Sequence, residues 1–491
     1  MQEFNLRAQD WRNGAVVYQI FLDRFAPSDR LQEKRHLYTS PRKLRAWSEL
    51  PKSGKFLEQE HVWAQELEFW GGDLPSLRSR LDYLEGLGVD VIYLNPVFEA
   101  LTNHKYDTWD YHKVDPAYGT RQELGELCQD LHQRNMRLIL DGVFNHMGRQ
   151  SPFFQQEASR DFFCWHPETG EAVGWLDVHN LPELNLENPK VRQWLWGQPD
   201  SVVQSYLRQE NIDGWRLDVA FDLGFAHLSQ LTEVAHQARP GCAIVGEVWN
   251  YPEEWSPALD GILNMHGRAL LLRMLDGTLP APLAARMWET MVADAGLDML
   301  LKSWLVLDNH DTPRLCHTLR KPWQVRMARA LQFFLPGCVC LYYGSELGMS
   351  GGNDPKNRAP MRWDLVDDEN KTLAFHRRLL ALRKSQPALR YGDFRRLHSQ
   401  QAFAFLRRTE SAKDTIVVLA NPSDEPVREL IQVRDSRLHD LTVLRDLLGG
   451  SLSPQILGGC IEVKLAPHQV VLLQPDVSPY PKGYQRYRRM P

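Results

Sequence analysis

Four short segments of the sequence each combine carboxylates with other groups that could do chemistry. They are residues 141–146, 214–218, 246–249 and 308–311. Two of the segments also carry a histidine, and one carries an arginine. A lone aspartate after a strand more often caps the next helix, so each segment is a weak signal by itself. Together, and in this order along the chain, the four segments predict one site for acid–base chemistry.

Two carboxyl groups, one protonated and one ionised, can together cleave a glycosidic bond. One group must donate a proton to the leaving oxygen, and the other must be ionised to attack the anomeric carbon. Arg216 precedes Asp218 by two residues, so the period of a strand places both on one side, where the cation favours an ionised aspartate. Glu247 follows an apolar run and lies beside Trp249, a less polar setting that raises a carboxyl pKa. We therefore predict Asp218 as nucleophile and Glu247 as general acid. A structural ion pair between Arg216 and Asp218 is the alternative.

Short apolar runs, often β-branched, recur along the chain, and each is followed by a stretch with helical spacing. The runs are residues 15–20, 89–94, 136–140, 214–217, 243–245, 261–264, 304–307 and 338–343. Continuous apolar strands that alternate with helices indicate a parallel sheet buried on both faces. This number of strands suggests a closed barrel, with an open doubly wound sheet as the alternative.

The positions of the polar residues decide between these two architectures. Several polar residues stand at or just past the ends of different apolar runs, namely Asn95, Asp141, Asp218, Glu247, Asn309, His310 and Asp311. In a barrel, catalytic residues gather at the carboxyl ends of several different strands. We therefore predict an α/β fold, a (β/α)₈ TIM barrel.

Two segments break the alternation of strands and helices. Residues 146–188 are rich in aromatic residues, Gly and Pro, and are predicted to form an inserted subdomain after the third strand. After the barrel, residues 1–390, apolar runs separated by turn residues predict a small antiparallel β-sandwich over residues 391–476. Residues 477–491 form a Pro-rich, basic tail that we expect to be disordered.

The composition disfavours several classes of partner. The 491 residues include 57 Lys and Arg against 62 Asp and Glu, a net charge of −5. This balance gives no electrostatic reason to expect nucleic acid or an anionic membrane as a partner. No basic and apolar signal peptide is visible at the N-terminus, nor any run long enough to span a membrane. Seven scattered cysteines without a C-x-x-C pair suit reduced thiols. We predict a cytoplasmic protein.

The four carboxylate segments resemble the four signature regions of the α-amylase family of glycoside hydrolases, and they occur in that family's order. The similarity also includes residues 18–21, 88–98 and 342–349, at the first, second and eighth strands. The resemblance implies that Asp218 is the nucleophile, Glu247 the general acid/base, and Asp311 the third carboxylate, which grips sugar hydroxyls and distorts the ring.

The same resemblance implies a set of residues that bind the substrate. His146 and His310 would hydrogen-bond the sugar that is cleaved, and Arg216 would orient the nucleophile. The loop at residues 104–107 resembles the one whose tyrosine stacks under that sugar. Residues 351–358 resemble the stretch whose Asp and Arg bind the next glucose toward the non-reducing end. The predicted substrate-binding residues are His104, Tyr106, His146, Arg216, Trp249, His310, Asp354 and Arg358.

Residues 181–185 resemble the fifth region of the branch that contains neopullulanase, cyclomaltodextrinase, maltogenic amylase and maltodextrin glucosidase. Two departures from that branch occur: Leu-Pro-Glu replaces its usual Met-Pro-Lys at residues 181–183, and Val-Ala-Phe-Asp replaces Val-Ala-Asn-Glu at residues 219–222. The first strand begins within about twenty residues of the N-terminus, so the branch's lid-forming N-terminal domain is not expected. We predict a monomer, or a dimer built differently from that of the branch.

Calcium is a further point on which the sequence departs from related enzymes. Residues 69–74 resemble half of an N-terminal calcium site, but residues 24–29 lack most of the Asn/Asp cluster of the other half. Hard cations need six or more oxygens. We therefore predict a glycine turn ahead of a helix here, with no metal and no cofactor; a bound calcium ion is the alternative.

The predicted activity is retaining hydrolysis of α-1,4-glucosidic bonds in maltodextrins, starch or cyclodextrins. The products would be small sugars such as maltose and glucose, with transglycosylation as a side reaction. The alternatives are a 4-α-glucanotransferase or a sucrose- or trehalose-converting relative, which would use the same carboxylates, and a non-catalytic carbohydrate-binding barrel.

Overall fold

The computed structural model describes residues 2–477, and its larger part is a closed barrel of eight parallel strands. The strands are β1 (Val16–Ile20), β2 (Val91–Leu94), β3 (Arg137–Gly142), β4 (Gly214–Leu217), β5 (Ala243–Val248), β6 (Gly261–Asn264), β7 (Trp304–Val306) and β8 (Cys338–Tyr342). Each strand pairs with its neighbour in the sequence, and β8 pairs with β1 to close the ring. The predicted barrel is confirmed, and each of its strands lies where an apolar run predicts one.

The strands are apolar along their whole length because both of their faces are buried. In β8, Cys338 and Cys340 belong to the small cluster that fills the barrel. Val339 and Leu341, which alternate with them, belong to the large core between the strands and the helices. Toward the carboxyl ends, polar side chains replace the apolar ones inside the barrel. Arg216 of β4 is in register with Asp141 of β3, so the top of the barrel interior is charged.

Helices surround the barrel in most of the strand connections. Their bounds are Gln2–Gln9, Leu74–Arg78, Leu81–Leu87, Arg121–Gln133, Pro189–Arg192, Val202–Ser205, Ala220–Ala238, Met265–Leu275, Ala281–Ala295, Leu297–Lys302, Leu315–Thr318, Pro322–Phe334, Lys371–Ser385 and Pro387–Tyr391. The two short helices between β3 and β4 continue as single π-helical stretches, Gln193–Gly197 and Tyr206–Glu210. The connection from β5 to β6, residues 249–260, contains no helix.

The segment between β3 and its first helix is irregular, in agreement with its lack of periodicity. It contains the 3₁₀ turns Glu157–Phe162 and Trp175–Asp177 and a few isolated bridges, including His146 to Glu183. These bridges fold the segment back over the mouth of the barrel. We retain residues 146–188 as the proposed inserted subdomain.

The C-terminal part is an antiparallel β-sandwich, as predicted. Its strands are β9 (Asp393–Arg396), β10 (Phe403–Arg408), β11 (Ile416–Ala420), β12 (Val427–Gln432), β13 (Leu444–Asp446), β14 (Cys460–Leu465) and β15 (Val470–Pro475). A five-stranded sheet faces the two-stranded sheet of β12 and β14 across a core of its own. The boundary at residue 390 remains a proposal. Apart from its first residue, the predicted tail lies outside the described residues.

Two further sequence predictions concern cysteines and membrane segments. All seven cysteines lie within the described residues, and each is a free thiol. Between residues 2 and 477, no helix has both the length and the apolar character that crossing a membrane requires.

Candidate active site

The carboxyl ends of the barrel strands open into a cleft of about 730 Å³, a size that suits a small ligand. Most of the predicted site residues line it, namely His104, Tyr106, His146, Asp218, Glu247, Trp249, Asp311, Asp354 and Arg358. The other two, Arg216 and His310, are almost completely buried and contact residues that line the cleft. Strands and loops that are far apart in the sequence therefore bring the whole predicted set to one place.

Arg216 is the central cation of this site and is fully buried. Its Nη1 lies 2.8 Å from Asp141 Oδ1 and 2.9 Å from Asp218 Oδ1. Its Nη2 lies 2.8 Å from Glu247 Oε2. One guanidinium therefore links the predicted nucleophile Asp218, the predicted general acid Glu247 and the carboxylate of Asp141.

Glu247, the second predicted catalytic carboxylate, is held on both of its oxygens. Trp249 Nε1 donates to Glu247 Oε1 at 3.0 Å, and the backbone N–H of Val219 donates to Glu247 Oε2 at 3.3 Å. Val219 has a φ of 41°, a left-handed conformation that a β-branched residue rarely adopts. The turn after Asp218 thus combines a strained backbone with an N–H directed at the Glu247 carboxylate.

The electrostatics of this cluster correct one prediction. That prediction considered only the influence of Arg216 on Asp218, which favours the ionised aspartate. Arg216 does lower the pKa of Asp218, but burial raises it by more, and Glu247 and Asp141 raise it further. The pKa of Asp218 is therefore well above its ordinary value. The prediction failed because the spacing of two residues on one strand does not reveal how many carboxylates share the same cation.

Tyr106 and His310 form a fixed wall of the cleft. Their rings stack with centroids 5.4 Å apart and an angle of 5° between the planes. The Tyr106 hydroxyl donates to Asp141 Oδ2 at 2.9 Å. Gln19 Nε2 lies 2.9 Å from His310 Nδ1, and burial lowers the pKa of His310. The imidazole is therefore neutral, and because Gln19 donates to Nδ1, its proton lies on Nε2, toward Tyr106 and Asp311.

The predicted subsite for the next glucose is also assembled. Arg358 Nε lies 3.2 Å from Asp354 Oδ1 and donates to the backbone carbonyl of His310 at 2.9 Å. Arg358 Nη2 lies 3.5 Å from Asp311 Oδ1. These contacts connect the three carboxylate- and cation-bearing residues of this end of the cleft.

His146 lines the same cleft and is almost completely buried. Burial lowers its pKa to about 3, so the imidazole is neutral and can donate one hydrogen bond and accept another. Its ring stacks on Trp175, with centroids 5.6 Å apart. Trp175 Nε1 in turn donates to Asp222 Oδ2 at 2.8 Å. The inserted segment is thereby tied to the helix Ala220–Ala238 that follows the predicted nucleophile.

Several cleft residues were not among the predicted site residues. They are Glu66, Trp175, Leu176, Leu181, Val219, Phe221, Asp222 and Asn250. Leu181 and residues 219–222 did carry a signal, because they lie in the stretches that depart from the branch pattern. Trp175 carried none, since its segment has no periodicity that would place it over the cleft. Asp141, beneath the cleft, was visible in the first carboxylate segment but was not assigned a role.

Residues 19–392 match the family described as alpha amylase, catalytic domain. The chain belongs to the α-amylase family. The match spans the barrel from the end of β1 onward and includes every residue that lines the cleft, and it confirms the predicted enzyme class, an α-glucan hydrolase.

Two curated relatives and one solved structure show where in the α-amylase family the chain lies. It is 30% identical over 463 residues to a cyclomaltodextrinase of Thermoanaerobacter pseudethanolicus, covering 90% of this chain and 75% of that protein. It is 33% identical over 399 residues to an intracellular maltogenic amylase of Bacillus subtilis, covering 78% of this chain and 64% of that protein. A cyclic α-maltosyl-(1→6)-maltose hydrolase from Arthrobacter globiformis superposes with a TM-score of 0.78 at 26% identity, over 94% of this chain and 99% of that one. The predicted branch of the family is confirmed.

The raised pKa of Asp218 leads to a prediction about pH. An α-amylase family nucleophile must be ionised to attack, so activity falls as the pH drops through its pKa. We expect the acidic limb of kcat/KM on maltotriose to lie above the ordinary aspartate value of about 3.9. Circular dichroism at each pH would separate this limb from unfolding. An acidic limb below about pH 3.9, with the fold intact, would contradict the account of the cluster.

The contacts of Trp175 lead to a second prediction. We expect Trp175→Phe, which keeps the ring over His146 but loses the indole N–H, to lower kcat/KM on maltotriose about fivefold, the equivalent of one hydrogen bond. Asp222→Ala should have a similar effect, and the double variant should be no worse than either single one. Trp165→Phe is the matched control, because Trp165 lies in the same segment and donates only to the backbone carbonyl of Arg160. Additive effects of the Trp175 and Asp222 changes would show that the contact does not act as a unit.

The predicted glycine turn at residues 71–73 is present, but the residues around it do not fit the calcium ion of related α-amylase family members. Gly71 has a φ of 81°, and Asp73 caps the helix Leu74–Arg78 by accepting from Ser76 N at 2.8 Å. The oxygens of this turn are bonded to the ammonium of Lys34, whose Nζ lies 2.6 Å from Asp73 Oδ2. A cation of the chain itself therefore stands among the oxygens that a metal would need.

Proposed function

We propose that this protein is a retaining hydrolase of α-1,4-glucosidic bonds in maltodextrins, starch or cyclodextrins, releasing maltose and glucose. The observation that carries the proposal is the bridging of Asp218 and Glu247 by one buried arginine at the floor of the cleft. A glycosidase needs two adjacent carboxyl groups with access to the same bond. The relatives, a cyclomaltodextrinase and an intracellular maltogenic amylase, support this substrate class and a cytoplasmic location. The oligomeric state remains a prediction.

In the first step, Asp218 attacks the anomeric carbon while Glu247 gives its proton to the bridging oxygen. The bond from carbon to the bridging oxygen breaks, and a covalent glucosyl ester of Asp218 forms. The proton must then reside on Glu247. Burial raises the pKa of Asp141, whereas Arg216 and hydrogen bonds from the hydroxyls of Tyr93 and Tyr106 lower it. A proton on Glu247 reduces the number of negatively charged carboxylates around the Arg216 guanidinium from three to two.

In the second step, Glu247 removes a proton from a water molecule, which attacks the anomeric carbon and releases Asp218. The configuration is inverted twice, so it is retained overall. If a sugar hydroxyl takes the place of water, the same step is transglycosylation. Asp311 would bind hydroxyls of the distorted sugar, next to the neutral His310, and Tyr106 would stack beneath it.

A product analysis on four substrates tests this function. We expect maltotriose to give glucose and maltose, and starch and β-cyclodextrin to give maltose and glucose, with Asp218→Asn as the inactive control. Proton NMR of the first products should show the α-anomer before mutarotation. Predominant oligomers longer than maltotriose would indicate a glucanotransferase, and the β-anomer would exclude the retaining mechanism. Pullulan in the same series reports whether α-1,6 bonds are also cleaved.

A further inference from the structure

Lys34 is a buried lysine whose side chain enters the wall of the catalytic domain rather than the solvent. Only 5% of the residue is exposed. Its Nζ lies 2.6 Å from Asp73 Oδ2 and donates to the backbone carbonyls of Gly71 at 3.0 Å and Ala117 at 2.8 Å. An ammonium group has three N–H donors, so each of them has an oxygen partner. A buried charge is tolerated at such a position only when it is paired and hydrogen-bonded in this way.

The surrounding groups leave little capacity for another cation. Asp73 also accepts from the Ser76 backbone N–H and from the Ser28 hydroxyl. The nearby Asp23 carboxylate accepts from the backbone N–H groups of Trp70 and Gly71 and pairs with Arg24 at 2.7 Å. A calcium ion needs six to eight oxygens within about 2.6 Å. The Lys34 ammonium nitrogen, which is positively charged, lies among these oxygens.

Two of the three segments that meet at Lys34 carry residues that line the cleft. Gly71 ends the stretch that carries Glu66, and Ala117 follows the hairpin of Phe98–Ala100 and Thr108–Val114, whose loop carries His104 and Tyr106. Lys34 itself lies on the loop after β1. A second buried ammonium acts on the same two segments, since Lys105 Nζ lies 2.5 Å from Asp115 Oδ2 and against the Phe69 ring at 5.2 Å. The cleft wall is thus held together by charges of the chain.

We propose that the Lys34 ammonium is a built-in cation that takes the place of a metal ion, so that this wall of the cleft is organised without calcium. The proposal does not depend on the substrate or on the retaining mechanism, because it concerns the cohesion of three chain segments. It requires stability to be insensitive to chelators and calcium but sensitive to loss of the Lys34 charge.

Thermal unfolding followed by circular dichroism tests the proposal directly. We expect the Tm of the full chain to be the same, within about 1 °C, after dialysis against EDTA and after addition of millimolar calcium chloride. A titration of the EDTA-treated protein with calcium, followed by calorimetry, should show no stoichiometric binding. A Tm that falls in EDTA and recovers with calcium would overturn the proposal, and this measurement needs no variant that folds.

Two variants of Lys34 and one control variant extend the test to the oxygens that surround the ammonium group. Lys34→Met keeps the length of the side chain but leaves Asp73 unpaired, and we expect the Tm to fall by about 5 °C or more. Lys113→Met is the matched control, because Lys113 is a largely exposed lysine of the adjacent hairpin, and its Tm should change by less than about 1 °C.

The Lys34→Asp variant should have a low Tm, and calcium should raise that Tm, because the substituted carboxylate adds oxygens to those of Asp73, Gly71 and Ala117. Equal Tm values for the two methionine variants, or no effect of calcium on Lys34→Asp, would contradict a cation site.

Discussion

Asparagine at position 218 should reduce kcat on maltodextrins by at least about 10⁴-fold, because an amide cannot form the glucosyl ester on which the mechanism depends. The structure adds an expectation about stability. Asp218 shares one buried guanidinium with Asp141 and Glu247, so removal of one negative charge relieves repulsion within the cluster. We therefore expect the Tm of Asp218→Asn to equal or exceed that of the unaltered protein, measured beside the steady-state rates.

Asp308→Asn is the matched control for that variant. Asp308 lies in the last carboxylate segment but is buried away from the cleft, where it pairs with Arg329 at 2.7 Å, and this contact lowers its pKa. Loss of one partner of a buried pair costs roughly 3–5 kcal/mol, so the main effect of this variant should be a lower Tm. If Asp218→Asn instead kept more than a small fraction of the activity, or unfolded at a much lower temperature, Asp218 would be a structural residue and not the nucleophile.

Glutamine at position 247 should reduce kcat on maltotriose by about 10²- to 10⁴-fold, the usual contribution of a general acid or base. The loss should depend on the leaving group. With α-glucosyl fluoride as substrate, the fluoride ion leaves without protonation, so formation of the glucosyl ester on Asp218 should remain fast. The ester should then accumulate and be detectable by mass spectrometry of the intact protein. Glutamine cannot deprotonate water, so the second step becomes limiting.

The pH profile of this variant separates the two carboxylates. The basic limb of kcat/KM on maltotriose should disappear, because glutamine has no acidic proton to lose as the pH rises. The acidic limb, measured with the fluoride, should move to lower pH, because Glu247 is one of the groups that raise the pKa of Asp218. Trp249→Phe is the control, since it removes one hydrogen bond to Glu247 and leaves the charge in place. Equal losses on maltotriose and on the fluoride would argue against Glu247 as the proton donor.

The barrel was predictable because its signals are local. Each strand of a closed parallel barrel is buried on both faces, which requires a continuous apolar run, and a residue such as Asp218 or Glu247 at its carboxyl end stands out from that run. About half of the residues lining the cleft could be named from the sequence, with the resemblance to the α-amylase family supplying those on loops, such as Asp354 and Arg358. Trp175 was not predictable, since an irregular segment carries no periodic signal for the direction of its side chains.

By itself, then, the sequence determined which carboxylates stand at the mouth of the barrel, because strand period and strand end are properties of neighbouring residues. Only the tertiary structure decided how these groups interact. Arg216 contacts Glu247 as well as Asp218, and Lys34 stands among the oxygens of Gly71, Asp73 and Ala117. Burial and charge–charge interactions depend on distances between segments that are remote in the chain. For that reason the protonation of the site and the cation that holds its wall follow from the folded arrangement alone.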